Sequence, residues 1–216
     1  NIPGVGQLQA GLAAIGVSAG AALGAGAAAA AVGLGALSVN AISAAVEIKN
    51  LSALANATPE EFQKLAYAAQ SVGIQQEKLS DILKDMNDRV GDFIATGGGP
   101  MKDFFEQIAP KVGVTAEQFR NLSGPQALQL YVSSLEKANV NQQDFAFFME
   151  AIASDSTALV PLLRNGGAAA QAYADRLVAL GGVMSNETVA KLAAMKSSLS
   201  EVGVVVRGMA MDLGAA

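Results

Sequence analysis

The sequence predicts an all-α protein, in which a multi-helix domain is flanked by Gly/Ala-rich apolar helical segments. The composition favours close helix packing over sheet packing: 51% of the residues are hydrophobic, only 5% are aromatic, and 23 are glycine. Apolar residues recur at helical spacing throughout residues 58–167. Helix-starting motifs precede several of these stretches.

The distribution of charge divides the chain into three parts. We expect residues 1–57 to be a Gly/Ala-rich apolar segment, residues 58–167 a compact helical block, and residues 168–216 a helical segment leading into a further apolar stretch. The chain opens at Asn1 without a methionine and closes on Gly214-Ala215-Ala216 without a polar tail. We therefore expect it to be an internal piece of a longer protein.

The first part carries no charged residue before Glu47. Residues 8–46 are long enough for one membrane-spanning helix or a hairpin of two, since a span needs about 20 apolar residues. Gly16, Gly20 and Gly24 recur every four residues and form a smooth face for close helix packing. Alanine and glycine drive insertion only weakly, so a packed seam between helices in an assembly is the alternative.

The middle block begins with the strongest helix start in the chain. Thr58 can cap, Pro59 fits the first turn and Glu61 completes a capping box. An apolar stripe follows from Phe62, and Gly73 separates it from a second amphipathic helix. The sequence Thr-Gly-Gly-Gly-Pro at residues 96–100 ends that helix.

Shorter helices fill the rest of the block. We expect one from Met101 to Ile108, and a turn at Pro110 and Gly113. Further starts are predicted at Thr115 with Gln118, at Ser123-Gly124-Pro125, at Asn141, and at Asp155 or Ser156. Asn165-Gly166-Gly167 ends the block. The side chains on the apolar stripes should be mostly buried: Phe62, Leu83, Phe93, Phe105, Phe119, Tyr131, Leu135, Phe148 and Ile152.

The last part is predicted to hold two helices. One covers residues 168–180 and is broken by Gly181-Gly182, and a longer one starts at Ser185 or Asn186. Residues 202–211 are strongly apolar around Arg207. An arginine is costly at the centre of a bilayer, so we do not expect this stretch to span a membrane alone.

The absence of Cys and His excludes much chemistry. A disulfide, a thiolate nucleophile, a Ser-His-Asp site and an ordinary zinc site cannot be built from this segment. The net charge of −5 and the scattered basic residues disfavour tight nucleic-acid binding. We expect no catalytic residue, no cofactor, no metal and no specific nucleic-acid sequence as partner, and hence a protein that is not an enzyme.

Four motifs remain to be weighed. Asp85, Asn87, Asp88 and Asp92 lack the spacing of a calcium loop, so we interpret them as a solvated helix face. Residues 97–102 lack the spacing of a phosphate loop and are interpreted as a turn. Glu106 or Glu150 could be the acid of a glycosidase, but such an enzyme needs a second carboxylate and the sequence indicates none. The pairs Phe104-Phe105 and Phe147-Phe148 are interpreted as core residues.

The middle block resembles a segment that recurs in the tail tape measure proteins of siphophages. The resembling stretches follow one another in the same order, without a large gap between them, and together they cover about half of the chain. The matching stretches are EEFQKLAYAA at 60–69, DILKD at 81–85, ND at 87–88, VGDF at 90–93, TGGGP at 96–100, DFF at 103–105, IAPKVGVT at 108–115, FR at 119–120, LSGP at 122–125, LQLYV at 128–132, SLEKAN at 134–139, MEAIASDST at 149–157 and LLRNGG at 162–167.

The resemblance implies a structural role. Proteins of this family are threaded through the tail tube as it assembles, set the length of the tail, and help the genome to cross the host envelope. It also implies several parallel copies, with a trimer expected. The other implied partners are tail tube and tail tip proteins, assembly chaperones and, after ejection, the host membrane. The implied location is the lumen of the tail tube in the virion, and later the host envelope.

Two other functions stay open at this point. The first is a toxin-like pore-former, in which a soluble helical domain shelters an apolar hairpin. The second is a domain that acts on the cell wall. A continuous helix of the whole chain would reach only about 324 Å at 1.5 Å per residue. This again suggests a piece of a longer ruler, that is, of a protein whose length sets the length of the tail.

Overall fold

The computed structural model describes residues 33–198, and within this range it confirms the all-α prediction. Every regular element there is helical and no β-strand occurs. In chain order the elements are α1 (Gly33–Leu54), α2 (Pro59–Gln70), α3 (Gln76–Thr96), a π-helix (Phe104–Ile108), a 3-10 helix (Ala109–Val112), α4 (Ala116–Phe119), α5 (Gly124–Lys137), α6 (Gln142–Glu150), a second 3-10 helix (Ser156–Leu159), α7 (Val160–Ala179) and α8 (residues 186–198).

The described residues belong to two compact units. One unit is Asn50–Ala179 and contains α2 to α7 together with the end of α1. It includes the expected 58–167 block and extends beyond it at both ends. Residues 33–49 and 180–198 belong to the second unit. Of the two flanking segments expected from the sequence, residues 1–32 and 199–216 lie outside the described range.

The helix breaks fall where the sequence predicts them. Gly73 adopts a φ of +81° between α2 and α3, and Gly97 ends α3 with a φ of +69°. These left-handed conformations favour glycine because it lacks a Cβ. Ser123 caps α5, which begins at Gly124. Capping boxes form as predicted at Thr58 with Glu61 and at Thr115 with Gln118.

Residues 164–167 divide α7 into two helical parts. Asn165, Gly166 and Gly167 have positive φ values of 54°, 69° and 81°, so the chain leaves the α-helical path. Side chains of α5 hold this bend: the amide of Gln129 donates to the carbonyl of Leu163 at 2.9 Å. The N–H of Asn165 donates to the carboxylate of Glu136 at 3.1 Å. The predicted end of the block at Gly166-Gly167 is therefore confirmed as a bend.

An aromatic cluster forms the centre of the unit 50–179. The ring of Phe104 lies 4.2 Å from that of Tyr131 and contacts Phe119 edge to face. Phe105 stacks on Phe93, with ring centroids 4.5 Å apart. The predicted core is confirmed: Phe93 is partly buried and the other eight side chains are at most 7% exposed.

The predicted helix around Phe104 and Phe105 is a π-helix in the structure. Pro110 explains the wider turn, since it has no N–H to donate to Glu106 and its ring would clash with that carbonyl in an α-helix. The N–H of Ala109 donates to Phe104 instead, five residues back. Both phenylalanines are buried.

Three side chains from elsewhere in the unit satisfy the carbonyls at the end of α6. The hydroxyl of Tyr131 donates to Phe148 and that of Ser156 to Met149, each at 2.6 Å. The guanidinium of Arg89 donates to Ala151 at 2.5 Å. Carbonyls at a helix end have no partner within the helix, so these bonds fix the nine-residue α6 in place.

In the second unit, α1 and α8 contact each other through a small apolar seam. Ile42 and Ala45 of α1 pack against Leu192, and Met184 and Met195 lie at its edge. The predicted start of this last helix is confirmed, because Ser185 accepts a hydrogen bond from the N–H of Thr188 at 3.1 Å. Residues 202–211 lie outside the described range, so the expectation for them stays a prediction.

We predict that stability falls at high pH through Tyr131. Burial raises the pKa of its phenol above the usual range. The unfolded chain therefore loses this proton above about pH 10 while the folded chain keeps it, which favours unfolding by about 1.4 kcal/mol at about pH 11.

Tyr131→Phe should cost about 1–3 kcal/mol at neutral pH, because the buried carbonyl of Phe148 loses its donor. Urea unfolding at about pH 8 and about pH 11 should show this difference shrinking as the pH rises. A difference that stays constant between the two conditions would contradict the burial of an ionisable phenol at this position.

Candidate functional site

The glycines that the sequence singled out, Gly16, Gly20 and Gly24, lie outside the described residues, so their packing role stays a prediction. Only residues 33–46 of the uncharged stretch are described, as part of α1. Within residues 33–198 no helix combines the length and the apolar character needed to cross a bilayer.

Two of the acidic residues of α3 form local ion pairs. Asp88 pairs with Lys84 at 2.5 Å, and Asp85 lies 3.9 Å from Arg89. Asn87 differs from the solvated face expected for it: it is half-buried and its amide donates to the carbonyl of Ala55 at 3.4 Å. Across the described range, no three acidic side chains come together as a metal site would require.

The glycine-rich turn after α3 presents a carboxylate and not an anion-binding loop. The carboxylate of Asp92 occupies the space where a side chain at Gly99 would begin. The hydroxyl of Thr96 donates to the Asp92 carbonyl at 2.8 Å and accepts from Gly98 at 3.0 Å. A phosphate would be repelled here, so the interpretation of residues 97–102 as a turn agrees with the contacts.

The interpretation of the two phenylalanine pairs as core residues is wrong for Phe147 and right for the other three. Phe104 and Phe105 are buried, but Phe147 is 55% exposed while Phe148 is 5% exposed. The buried side of α6 is formed by Phe145, Phe148 and Met149. Phe147 follows Phe145 by about 200° around the helix axis, since each residue turns about 100°, and it therefore faces away from the core.

A concave junction of about 440 Å³ lies where two turns meet, at residues 53–58 and 120–123. Its lining combines small apolar side chains with amides, hydroxyls and two charged groups: Ala53, Asn56, Ala57, Thr58, Glu61, Arg120, Asn121, Leu122 and Ser123. The turns precede α2 and α5, so two helix starts face this junction.

The carboxylate of Glu61 accepts hydrogen bonds from both helix starts. One oxygen accepts from the N–H and the hydroxyl of Thr58, at 3.1 and 3.0 Å. The other accepts from the hydroxyl of Ser123 at 3.5 Å and the amide of Gln126 at 3.3 Å. A negative charge is also favoured near helix N-termini. Glu61 therefore joins the capping boxes of α2 and α5.

The backbones approach each other closely at the same junction. The N–H of Gly124 donates to the carbonyl of Asn56 at 2.8 Å, and the amide of Asn56 donates to Leu122 at 3.1 Å. A Cβ at residue 124 would overlap the carbonyl oxygen of Ala55. Only glycine therefore allows α5 to begin at this distance from the end of α1.

The arrangement supports a structural role for the junction. Glu61 is saturated by four donors, and Arg120 pairs with Glu117 at 2.6 Å. The two other carboxylates considered, Glu106 and Glu150, are both exposed on the surface. The sequence indicated the Thr58 and Ser123 caps, but it gave no signal for Asn56 and Asn87, because their contacts join residues more than 30 positions apart.

No protein-family model, curated protein or solved structure matches the chain.

We predict opposite effects for alanine at two glycines of this unit. Gly124→Ala should destabilise the protein by about 1–3 kcal/mol, because the new methyl group forces the backbones of residues 55 and 124 apart. Gly91→Ala is the matched control: this α3 glycine has open space around its Cβ position. It should stabilise the protein by about 0.5–1 kcal/mol.

Thermal and urea unfolding of the two variants measure both effects. Equal changes for Gly124→Ala and Gly91→Ala would contradict the close approach at the junction.

Proposed function

We propose that this chain is an internal part of a siphophage tail tape measure protein. In this role it contributes to the length of the tail as the tube assembles, and it takes part in delivery of the genome across the host envelope. The observation that carries the proposal is the ordered resemblance between residues 60 and 167, in which thirteen stretches follow one another without a large gap.

The helical architecture supports this proposal because the resembling stretches coincide with structural joints. The stretch 60–69 contains Glu61 of the α2 capping box, residues 96–100 end α3, and residues 122–125 start α5. The stretch 162–167 contains the bend in α7. The resemblance thus covers cap and turn residues as well as apolar positions, and a shared apolar periodicity alone would not require these.

The proposed role is structural and not enzymatic. The carboxylate of Glu61, which faces the concave junction, accepts four hydrogen bonds that hold two helices together, which supports a packing function for it. The proposed partners are further copies of the chain, the tail tube and tip proteins, assembly chaperones, and the host membrane after ejection. The proposed location is the lumen of the tail tube.

Deleting residues 11–45 in frame should shorten the phage tail. If these residues are part of the ruler as a helix, the loss is about 1.5 Å per residue, or roughly 50 Å. Electron microscopy of negatively stained particles measures the change. As a control, an Ala-rich helical insert of equal length in place of residues 11–45 should restore the tail length. Normal particles with tails of unchanged length would contradict a ruler function for this segment.

A membrane pore-former is the second candidate, and the absence of charge before Glu47 favours it. In that case a peptide of residues 8–46 should float with liposomes and release an enclosed dye. Val17→Asp is the matched control, because residue 17 lies near the centre of the first span of a hairpin, where a charge costs about 3 kcal/mol. A wild-type peptide that stays in the aqueous fraction and releases no dye would exclude the membrane role and leave only the packing role.

A further inference from the structure

Methionine is the side chain of this protein that an oxidant attacks most readily, because the chain contains neither Cys nor Trp. Among the described residues, Met86, Met101 and Met149 lie in the core of the unit 50–179 and are 0% exposed. Met184 and Met195 belong to the other unit and are only partly buried. Since oxidation follows exposure, a dissolved oxidant reaches these two first.

Both of these methionines lie at the edge of the apolar seam between α1 and α8. The buried side chains of the seam are Ile42 and Ala45 of α1 and Leu192 of α8, and Met184 and Met195 pack against them. Leu192 and Met195 are three residues apart and therefore share one face of α8. In the described part of the chain this seam is far smaller than the core of the unit 50–179. Each of its contacts therefore carries a larger share of its stability.

Oxidation to the sulfoxide makes these side chains unsuited to the seam. The side chains of Ile42, Ala45 and Leu192 are hydrocarbon only and offer no hydrogen-bond donor. A sulfoxide oxygen is a polar acceptor, and burying such a group without a donor is unfavourable. The oxidised side chain therefore turns toward water, which removes its apolar contact with the two helices.

We propose that Met184 and Met195 make the seam between α1 and α8 a redox-sensitive contact, with hydrogen peroxide as the oxidant. A lone pair of the thioether sulfur attacks one peroxide oxygen, so that an S–O bond forms and the O–O bond breaks. After proton transfer the other oxygen leaves as water, and the sulfur has lost the two electrons that the peroxide has gained. The seam opens on oxidation and closes again when a sulfoxide reductase restores the thioethers.

The seam joins the two ends of the described part of the chain. In the sequence, α1 follows the uncharged residues 1–32, and α8 precedes the apolar residues 202–211. Oxidation therefore separates the two helices to which these stretches are attached, while the buried methionines keep the unit 50–179 folded. The redox response does not require the proposed function, since it rests only on the exposure and the contacts of these side chains.

Treatment of the full chain with dilute hydrogen peroxide tests the selectivity of oxidation, with peptide mass spectrometry to locate the sulfoxides. Met184 and Met195 should be oxidised at least about tenfold faster than Met86, Met101 and Met149, whose sulfur atoms are reached only when the core opens. Equal rates for the two groups of methionines would overturn the proposal.

Amide hydrogen exchange of the same oxidised chain measures the opening of the seam. Amides of residues 41–46 in α1 and 188–195 in α8 should exchange about five- to thirtyfold faster after oxidation. Amides of residues 128–135 in α5 should be unchanged, because the core around them keeps its thioethers. Methionine sulfoxide reductases of both stereospecificities should restore slow exchange in α1 and α8.

The double variant Met184→Leu/Met195→Leu is the matched control. Leucine has a similar volume and keeps the apolar contact, but it forms no sulfoxide. Met209 and Met211, which lie outside the described residues, stay oxidisable in this variant, and its exchange in α1 and α8 should still not respond to peroxide. A response as large as that of the wild type would overturn the proposal. Unchanged exchange in a wild-type chain that is oxidised at both Met184 and Met195 would overturn it as well.

Discussion

Two backbones approach each other closely in the unit 50–179 at the end of α1, where residues 55 and 56 pass against Gly124. The N–H of Gly124 donates to Asn56, and no Cβ fits at residue 124 beside the carbonyl of Ala55. This contact sets where α5 starts, and α5 carries Tyr131 into the aromatic core. Tyr131 in turn holds the end of α6. The positions of three helices therefore depend on one glycine and the turn that it meets.

Sequence reasoning succeeded where the structure depends on neighbouring residues. The caps at Thr58 and Ser123 and the breaks at Gly73 and Gly97 follow from local hydrogen bonding and backbone conformation, which a few adjacent residues determine. It failed where distant residues decide. The second pair of donors to Glu61 comes from residues 123 and 126, and the exposure of Phe147 depends on which side of α6 meets the core.

The proposed function places two demands on this chain. A ruler in a narrow tube suggests elongated helices, whereas the glycine and proline breaks of residues 58–167 produce a compact unit. The two fit together if the elongated part of the ruler lies elsewhere in the full protein and this unit forms a folded body within it.

The central claim is that this chain travels inside the tail and leaves with the genome. Imaging of phage particles with a label fused next to residues 50–179 tests it most directly, by comparing intact tails with tails that have ejected their DNA. We expect label in the lumen of intact tails and its loss from emptied ones. A label on the outside of the tail, or one that remains after ejection, would contradict the account.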